Sequence, residues 1–154
     1  MLTVASSILV LALVWLSQVD IQSLRIPDVI TLPLIASGLA VNVFLHGASS
    51  LWLFALGAAL GFLSLWLAAT LYARLRGRPG LGLGDAKLLA AAGAWMGPMF
   101  LAPTVFIGAL LGLAYAGFLR LRGQRISSQT IVPFGPFLSA AFFLLWCLHL
   151  AGVI

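Results

Sequence analysis

The placement of charge constrains this chain more than any other feature, because all eight Lys and Arg residues and all three acidic residues fall into three short windows. The windows are residues 20–28, 74–87 and 120–125. The uncharged stretches are residues 1–19, 29–73, 88–119 and 126–154. Since a bilayer core requires about 20 apolar residues per helix, the lengths of these stretches predict one, two, two and one membrane-spanning helices.

The predicted fold class is therefore an all-α, polytopic bundle of six transmembrane helices, forming a single membrane-embedded domain over residues 1–154. Hydrophobic residues make up 63% of the chain and charged residues 7%, a composition typical of membrane proteins and not of soluble domains. The first span lacks the basic segment of a cleaved signal peptide and is expected to be retained. The fourth helix, expected over residues 88–100, is the shortest and is rich in alanine.

The two longest stretches are expected to turn back near His46-Gly47 and near Gly97-Pro98 or Pro103. The charged windows then form the loops between spans 1–2, 3–4 and 5–6, all on one side of the membrane. The positive-inside rule assigns these loops to the cytoplasm and both termini to the outside of the cell inner (plasma) membrane. The net charge of +5 is an orientation signal, and no nucleic-acid partner is expected.

Asp85 follows the glycine turn Gly80-Leu-Gly-Leu-Gly84 and precedes an apolar helix. An ionisable group beside hydrocarbon costs a few kcal/mol unless something compensates it, so it is a candidate for function. The alternative is that Asp85 only caps the helix, since Asp accepts N–H bonds at a helix start.

Asp20 reaches the same membrane border from another direction, because it follows the apolar run of span 1 whereas span 4 begins near Asp85, which is expected at a helix N-terminus. Near the C-terminus of its own helix, the dipole disfavours an anion at Asp20, so capping does not explain it. Two such carboxyl groups, if close, would titrate as a coupled pair sharing one proton, as aspartyl proteolysis requires. Asp28 is the rival second acid; it follows Pro27 and is interpreted as a helix-start stabiliser for span 2.

Three motifs in this order carry a family resemblance. The segments Val19-Asp-Ile-Gln-Ser-Leu-Arg-Ile-Pro-Asp28, Gly82-Leu-Gly-Asp85 and Pro133-Phe-Gly-Pro136 resemble signatures of the type IV prepilin peptidases. The resemblance implies a GxGD-type aspartyl endopeptidase with Asp20 and Asp85 as its catalytic pair. It also implies removal of the short basic leader of prepilins, pseudopilins or preflagellins at the cytoplasmic face, by a cut after a glycine and before the apolar helix.

The remaining site residues are predicted to support this chemistry. Gly82, Gly84 and Lys87 are expected to support the active site, with Lys87 reaching towards lipid headgroups and not to Asp85. The turn Pro133, Phe134, Gly135, Pro136 is expected to contact an extended substrate, or alternatively only to start span 6. The expected partners are prepilin-like precursors and the lipid bilayer.

Two departures from the family's long members bear on activity. The chain has a single cysteine, Cys147, whereas the long members carry two CxxC pairs in an additional N-terminal region and also methylate their product. This chain resembles the short, peptidase-only members, so no methyltransferase activity is expected. Gln22 stands where many long members have another acid, and no role is assigned to it.

Three alternatives compete with this interpretation, one of them within the proteases and two from other classes. A presenilin-like intramembrane protease shares GxGD but would carry Pro-Ala-Leu near its end. A small proton-coupled carrier would place its acids near mid-membrane and often shows inverted repeats. A non-catalytic assembly subunit of a pilus machine is also compatible with the sequence. No metal or other cofactor is expected, because no cluster of His, Cys or carboxylates has ligand spacing.

Overall fold

The computed structural model describes residues 2–77, 82–123 and 133–152, and within these ranges the regular structure is entirely helical. The six α-helices are α1 (Leu2–Ser23), α2 (Asp28–His46), α3 (Leu51–Arg76), α4 (Leu83–Met96), α5 (Leu101–Leu121) and α6 (Gly135–Leu150). Short 3-10 turns at Ala48–Ser50 and Pro98–Phe100 precede α3 and α5. The predicted all-α class and the six helices in the predicted order are confirmed.

Glycine ends two of the helices at the predicted turns. Gly47 follows α2 with φ 84° and Gly97 follows α4 with φ 84°, a backbone conformation that L side chains rarely adopt. Each glycine N–H bonds back into the last turn of its helix, at Val43 and Gly93. Of the two predicted turn positions in the third uncharged stretch, residues 88–119, the chain uses Gly97-Pro98, whereas Pro103 lies in the first turn of α5.

Within the part of the chain that the structure describes, four helices are long and apolar enough to cross a membrane: α1, α2, α3 and α5. The other two are shorter, with 14 residues in α4 and 16 in α6. At 1.5 Å per residue these correspond to roughly 21 and 24 Å, less than the ~30 Å of a hydrocarbon core. The six helices therefore do not cross the bilayer as six equal spans.

The fourth span was expected to begin near Asp85, with its uncharged part over residues 88–100, and the observed helix begins two residues ahead of Asp85 and ends at Met96. Helix α4 begins at Leu83, because the extended residue Gly82 (φ −77°, ψ 141°) acts as its N-cap. The first turn therefore falls inside the second charged window and contains Asp85. Asp85 is the third residue of the helix and does not precede it.

Helix α4 is the central element of the bundle, with nearly every side chain from Asp85 to Met96 buried. It packs backbone to backbone against α3: a Cβ at Gly93 would lie 2.2 Å from the carbonyl oxygen of Gly57, and one at Gly61 would lie 2.6 Å from that of Leu89. Such close approach is typical of membrane helices that associate through small residues. Gly57, Gly61 and Gly93 are therefore packing positions between α3 and α4.

Polar side chains satisfy the C-terminal end of α4. The amide nitrogen of Asn42 on α2 lies 3.0 Å from the carbonyl oxygens of Ala94 and Trp95, which are among the last carbonyls of the helix. The Trp95 indole N–H donates to the carbonyl of Leu34 at 2.8 Å. Because the last carbonyls of a helix have no partner within it, α2 supplies the donor that lets α4 end inside an apolar bundle.

The contacts define two ends of the bundle. At one end, which we call the acidic end, the last turn of α1 meets the first residues of α2, α4 and α6. At the other end the indole N–H of Trp146 on α6 donates to the hydroxyl of Ser6 on α1 at 3.1 Å. The described parts of both chain termini therefore lie at the end remote from the acids.

Candidate active site

Asp20 lies in the last turn of α1, buried to 6% exposure. Its carboxylate oxygen Oδ2 accepts a hydrogen bond from the backbone N–H of Gly135, 3.0 Å away. Gly135 is the first residue of α6, so the positive end of the α6 dipole faces this carboxylate. The N-terminus of α6 thereby compensates for the unfavourable position of Asp20 at the C-terminus of its own helix.

The contact between Asp20 and α6 leaves no room for a side chain at position 135. A Cβ at Gly135 would lie 2.6 Å from Oδ2 of Asp20 and 3.1 Å from Cδ1 of Ile26. Glycine is thus required here by close approach. In this turn Phe134 occupies the N-cap position of α6, and Pro136 lies in its first turn.

Asp85 is buried to 7% exposure in the first turn of α4. Its carboxylate accepts a hydrogen bond from the backbone N–H of Gly82, the N-cap residue. A third-position side chain that reaches back to the N-cap N–H is half of a capping box. The capping interpretation of Asp85 is therefore right about the local geometry, but it does not account for the second buried acid nearby.

Ile26 connects the two acids through the residues beside them. Its side chain would lie 2.6 Å from a Cβ on Gly84, next to Asp85, and 3.1 Å from one on Gly135, which bonds Asp20. The two carboxyl groups are near enough to interact electrostatically. The structure thus brings together two acids that are 65 residues apart in the sequence.

Ile26 was missed by sequence reasoning. The available signal was an apolar residue between Arg25 and Pro27, in the four-residue connection between α1 and α2. It is buried, at 9% exposure, and it packs against the glycines that adjoin Asp85 and bond Asp20.

Lys87 does not contact Asp85, and its ammonium group forms an ion pair with Asp28. Asp28 is the first residue of α2, at the position where the sequence predicts a helix-start stabiliser. Both side chains are partly exposed, at 27% for Lys87 and 56% for Asp28. Asp28 is thus paired with a lysine at the partly exposed edge of the site, whereas Asp20 and Asp85 are buried.

Among residues 2–77, 82–123 and 133–152, no group of three or more His, Cys, Asp or Glu side chains could hold a metal ion. The donors around the two carboxylates are backbone N–H groups, of Gly135 and Gly82. These donors stabilise a carboxylate or polarise it, and they leave it available to exchange a proton with water.

The fold and the site define a helical membrane protein with two buried, neighbouring carboxylic acids at one end of the bundle. Residues 7–117 match the Type IV leader peptidase family. The chain belongs to that family.

Curated relatives agree with this assignment. Three are called prepilin leader peptidase/N-methyltransferase: that of Burkholderia pseudomallei strain 1026b is 44% identical over 84% of this chain and 41% of the relative. That of Stutzerimonas stutzeri is 39% identical over 92% of this chain and 49% of the relative. That of Pseudomonas aeruginosa is 40% identical over 92% of this chain and 49% of the relative. The chain spans about half the length of these relatives. No solved structure matches it.

Proposed function

We propose that the chain is an aspartyl endopeptidase that removes the short basic leader of prepilin-like precursors (pilins, pseudopilins or preflagellins). The observation that carries the proposal is the pair of buried acids, each facing the N-terminus of a helix, in a chain of the Type IV leader peptidase family. The relatives are named for prepilin leader cleavage, which supports this substrate class.

The chemistry requires one ionised and one protonated carboxyl group facing the same water. The ionised group takes a proton from the water as its oxygen attacks the peptide carbonyl, and the protonated group polarises that carbonyl. The tetrahedral intermediate then collapses with protonation of the leaving amine. Burial favours a single shared negative charge on the pair, because two like charges in a low-dielectric site repel strongly.

The site lies at the acidic end and not midway along the helices, which favours a peptidase cutting at the membrane border over a proton-coupled carrier. We place this end at the cytoplasmic face of the inner membrane, where the arginine-rich loops would remain under the positive-inside rule. The substrate must be extended at the scissile bond. Pro133 and Phe134, at the start of α6, are proposed to contact that extended segment beside Asp20.

The relatives' names also include an N-methyltransferase activity, so the comparisons give no support to the expectation that these 154 residues lack it. That expectation stays a prediction. It rests on the absence of any CxxC pair from a sequence with one cysteine.

The test incubates the purified chain, in lipid vesicles, with a prepilin that has a basic leader, followed by sequencing and mass measurement of the new N-terminus. We expect one cut, after the glycine before the apolar helix, with and without a metal chelator. With a methyl donor present, the mass should correspond to an unmethylated product. An intact prepilin, or cleavage that is lost with chelator and restored by zinc or calcium, would contradict the proposal.

A further inference from the structure

An apolar groove of ≈ 340 Å³ runs along the surface of the bundle between α1 and α6. We call it the α1/α6 groove; its lining includes Val10, Leu13, Val14, Ile21, Pro136 and Ser139. From Ile21 to Val10 it follows about three turns of α1, or roughly 16 Å at 1.5 Å per residue. The groove lining contains no charged residue.

One end of this groove lies at the candidate active site. Ile21 directly follows Asp20, and Pro136 directly follows Gly135, whose N–H donates to the Asp20 carboxylate. The other end points towards the opposite side of the bundle. A helix lying in the groove would therefore have one end next to Asp20.

Ser139 gives the groove an unsatisfied polar group. In the described part of the chain, its hydroxyl is the one buried side-chain polar atom with no hydrogen-bond partner, at 3% exposure. Other serines in these helices, such as Ser7 and Ser17, donate to the carbonyl four residues earlier. A buried hydroxyl without a partner is costly, and in membranes such hydroxyls bond across to a neighbouring helix.

We propose that the α1/α6 groove binds the apolar helix of the precursor, with Ser139 bonding to it, and so places the residues ahead of that helix at Asp20. The inference rests on the proposed function, in which the cut falls directly before the apolar helix. An uncharged groove about three turns long fits such a helix, and its active-site end fits the extended segment. A lipid acyl chain would fill the groove but would leave the Ser139 hydroxyl without a partner.

Photo-crosslinking tests the location directly. A photoreactive residue replaces either Val14, in the α1/α6 groove, or Leu11, which lies on the same helix but lines the crevice between α1 and α2. Both positions are exposed, at 53% and 70%. In the full chain carrying Asp85→Asn, in vesicles with an uncut prepilin, we expect crosslinks from position 14 to exceed those from position 11 at least about tenfold. Equal yields, a preference for position 11, or adducts with lipid alone would overturn the proposal.

Steady-state kinetics give a second readout. Ala140→Trp fills the groove, whereas Ala114→Trp, an exposed alanine on α5, leaves it open. For Ala140→Trp we expect KM for the prepilin to rise at least about tenfold with kcat within about twofold, and for Ala114→Trp neither to change. An unchanged KM in Ala140→Trp would contradict docking of the helix in the groove but would not contradict the proposed peptidase function. If the unaltered chain cleaves no prepilin, the proposed function fails, and the crosslinking result decides whether the groove binds the helix.

Discussion

At the scale of single residues, the contact between Asp20 and Gly135 determines how the first acid can act. The carboxylate is held at the C-terminus of its own helix by a donor from another helix, 3.0 Å away. The two residues are 115 positions apart in the sequence, so the fold alone brings them into contact. Sequence reasoning placed Gly135 in a substrate-binding turn, whereas the structure shows that it also holds Asp20.

Gly135→Ala is the smallest change that tests this contact. The added Cβ would meet Oδ2 of Asp20 at 2.6 Å, so the carboxylate or α6 must shift. We expect turnover to fall at least about tenfold, or ~1.4 kcal/mol in the activation barrier, with a larger loss for Gly135→Val. The measurement is kcat together with thermal stability in detergent.

The matched control for position 135 is Gly117→Ala, because a Cβ there has nothing within 4 Å. We expect it to leave turnover unchanged and stability equal or slightly higher. Full activity in a well-folded Gly135→Ala protein would show that the observed contact is not needed.

The ion pair between Asp28 and Lys87 should matter much less than the buried acids. Because both side chains are partly exposed, the pair is expected to contribute about 0.2–1 kcal/mol. Asp28→Asn should therefore keep activity within about fivefold of wild type, and Lys87→Met should have a similar effect. The double variant, assayed for cleavage in parallel, should lose no more than either single one; a near-complete loss in Asp28→Asn would make it a candidate for the second catalytic acid.

At the scale of elements, the helices that could be predicted were those with long uncharged runs between charged windows. Helix α4 was predicted less well, because its first turn, Leu83-Gly84-Asp85, contains a charged residue. This turn also includes one glycine, Gly84, and directly follows another, Gly82. Charge counting treats such a segment as a loop, whereas the free N–H groups of a helix start stabilise a carboxylate there. The central position of α4 depends on which glycines of α3 and α4 face each other. This is a property of the tertiary structure that the spacing of glycines in the sequence does not specify.

The backbone contact between α3 and α4 gives a prediction about stability. Gly93→Ala would place a Cβ 2.2 Å from the carbonyl oxygen of Gly57, which the helices can relieve only by separating. Overpacking of this kind costs about 1–3 kcal/mol, so thermal unfolding in detergent should occur at lower temperature. Gly112→Ala is the control, since its Cβ would lie 3.5 Å from the Phe137 ring, an ordinary contact; equal stability of the two variants would contradict the packing described here.

At the scale of the whole molecule, the distribution of charge predicts the orientation of the bundle. The convergence of Asp20 and Asp85 at one end was predictable from alternating spans, because both border the same charged side. The partners of each acid were not predictable from the sequence. Gly135 and Gly82 act through their backbone N–H groups, and Ile26 acts through the shape of its side chain. Orientation relative to the cytoplasm stays a prediction.

Cysteine accessibility tests that orientation. In a Cys147→Ser background, single cysteines at positions 25, 76 and 122 should react with membrane-impermeant reagent only after the cells are opened. A cysteine at position 49 should react in intact cells. The reason is the positive-inside rule applied to three arginine-containing loops. Labelling of position 76 from outside would place the acidic end on the wrong face for cytoplasmic leader cleavage.

The central claim, that Asp20 and Asp85 form one catalytic unit, is tested most directly by prepilin cleavage in Asp20→Asn, Asp85→Asn and the double variant. Asn nearly preserves the volume of each side chain but neither accepts nor delivers the proton. Because members of one catalytic unit are not additive, each single variant should lose cleavage almost as completely as the double one while remaining folded and inserted. Normal cleavage by either single variant would contradict the claim, and cleavage by the double variant would exclude an aspartyl mechanism at this site.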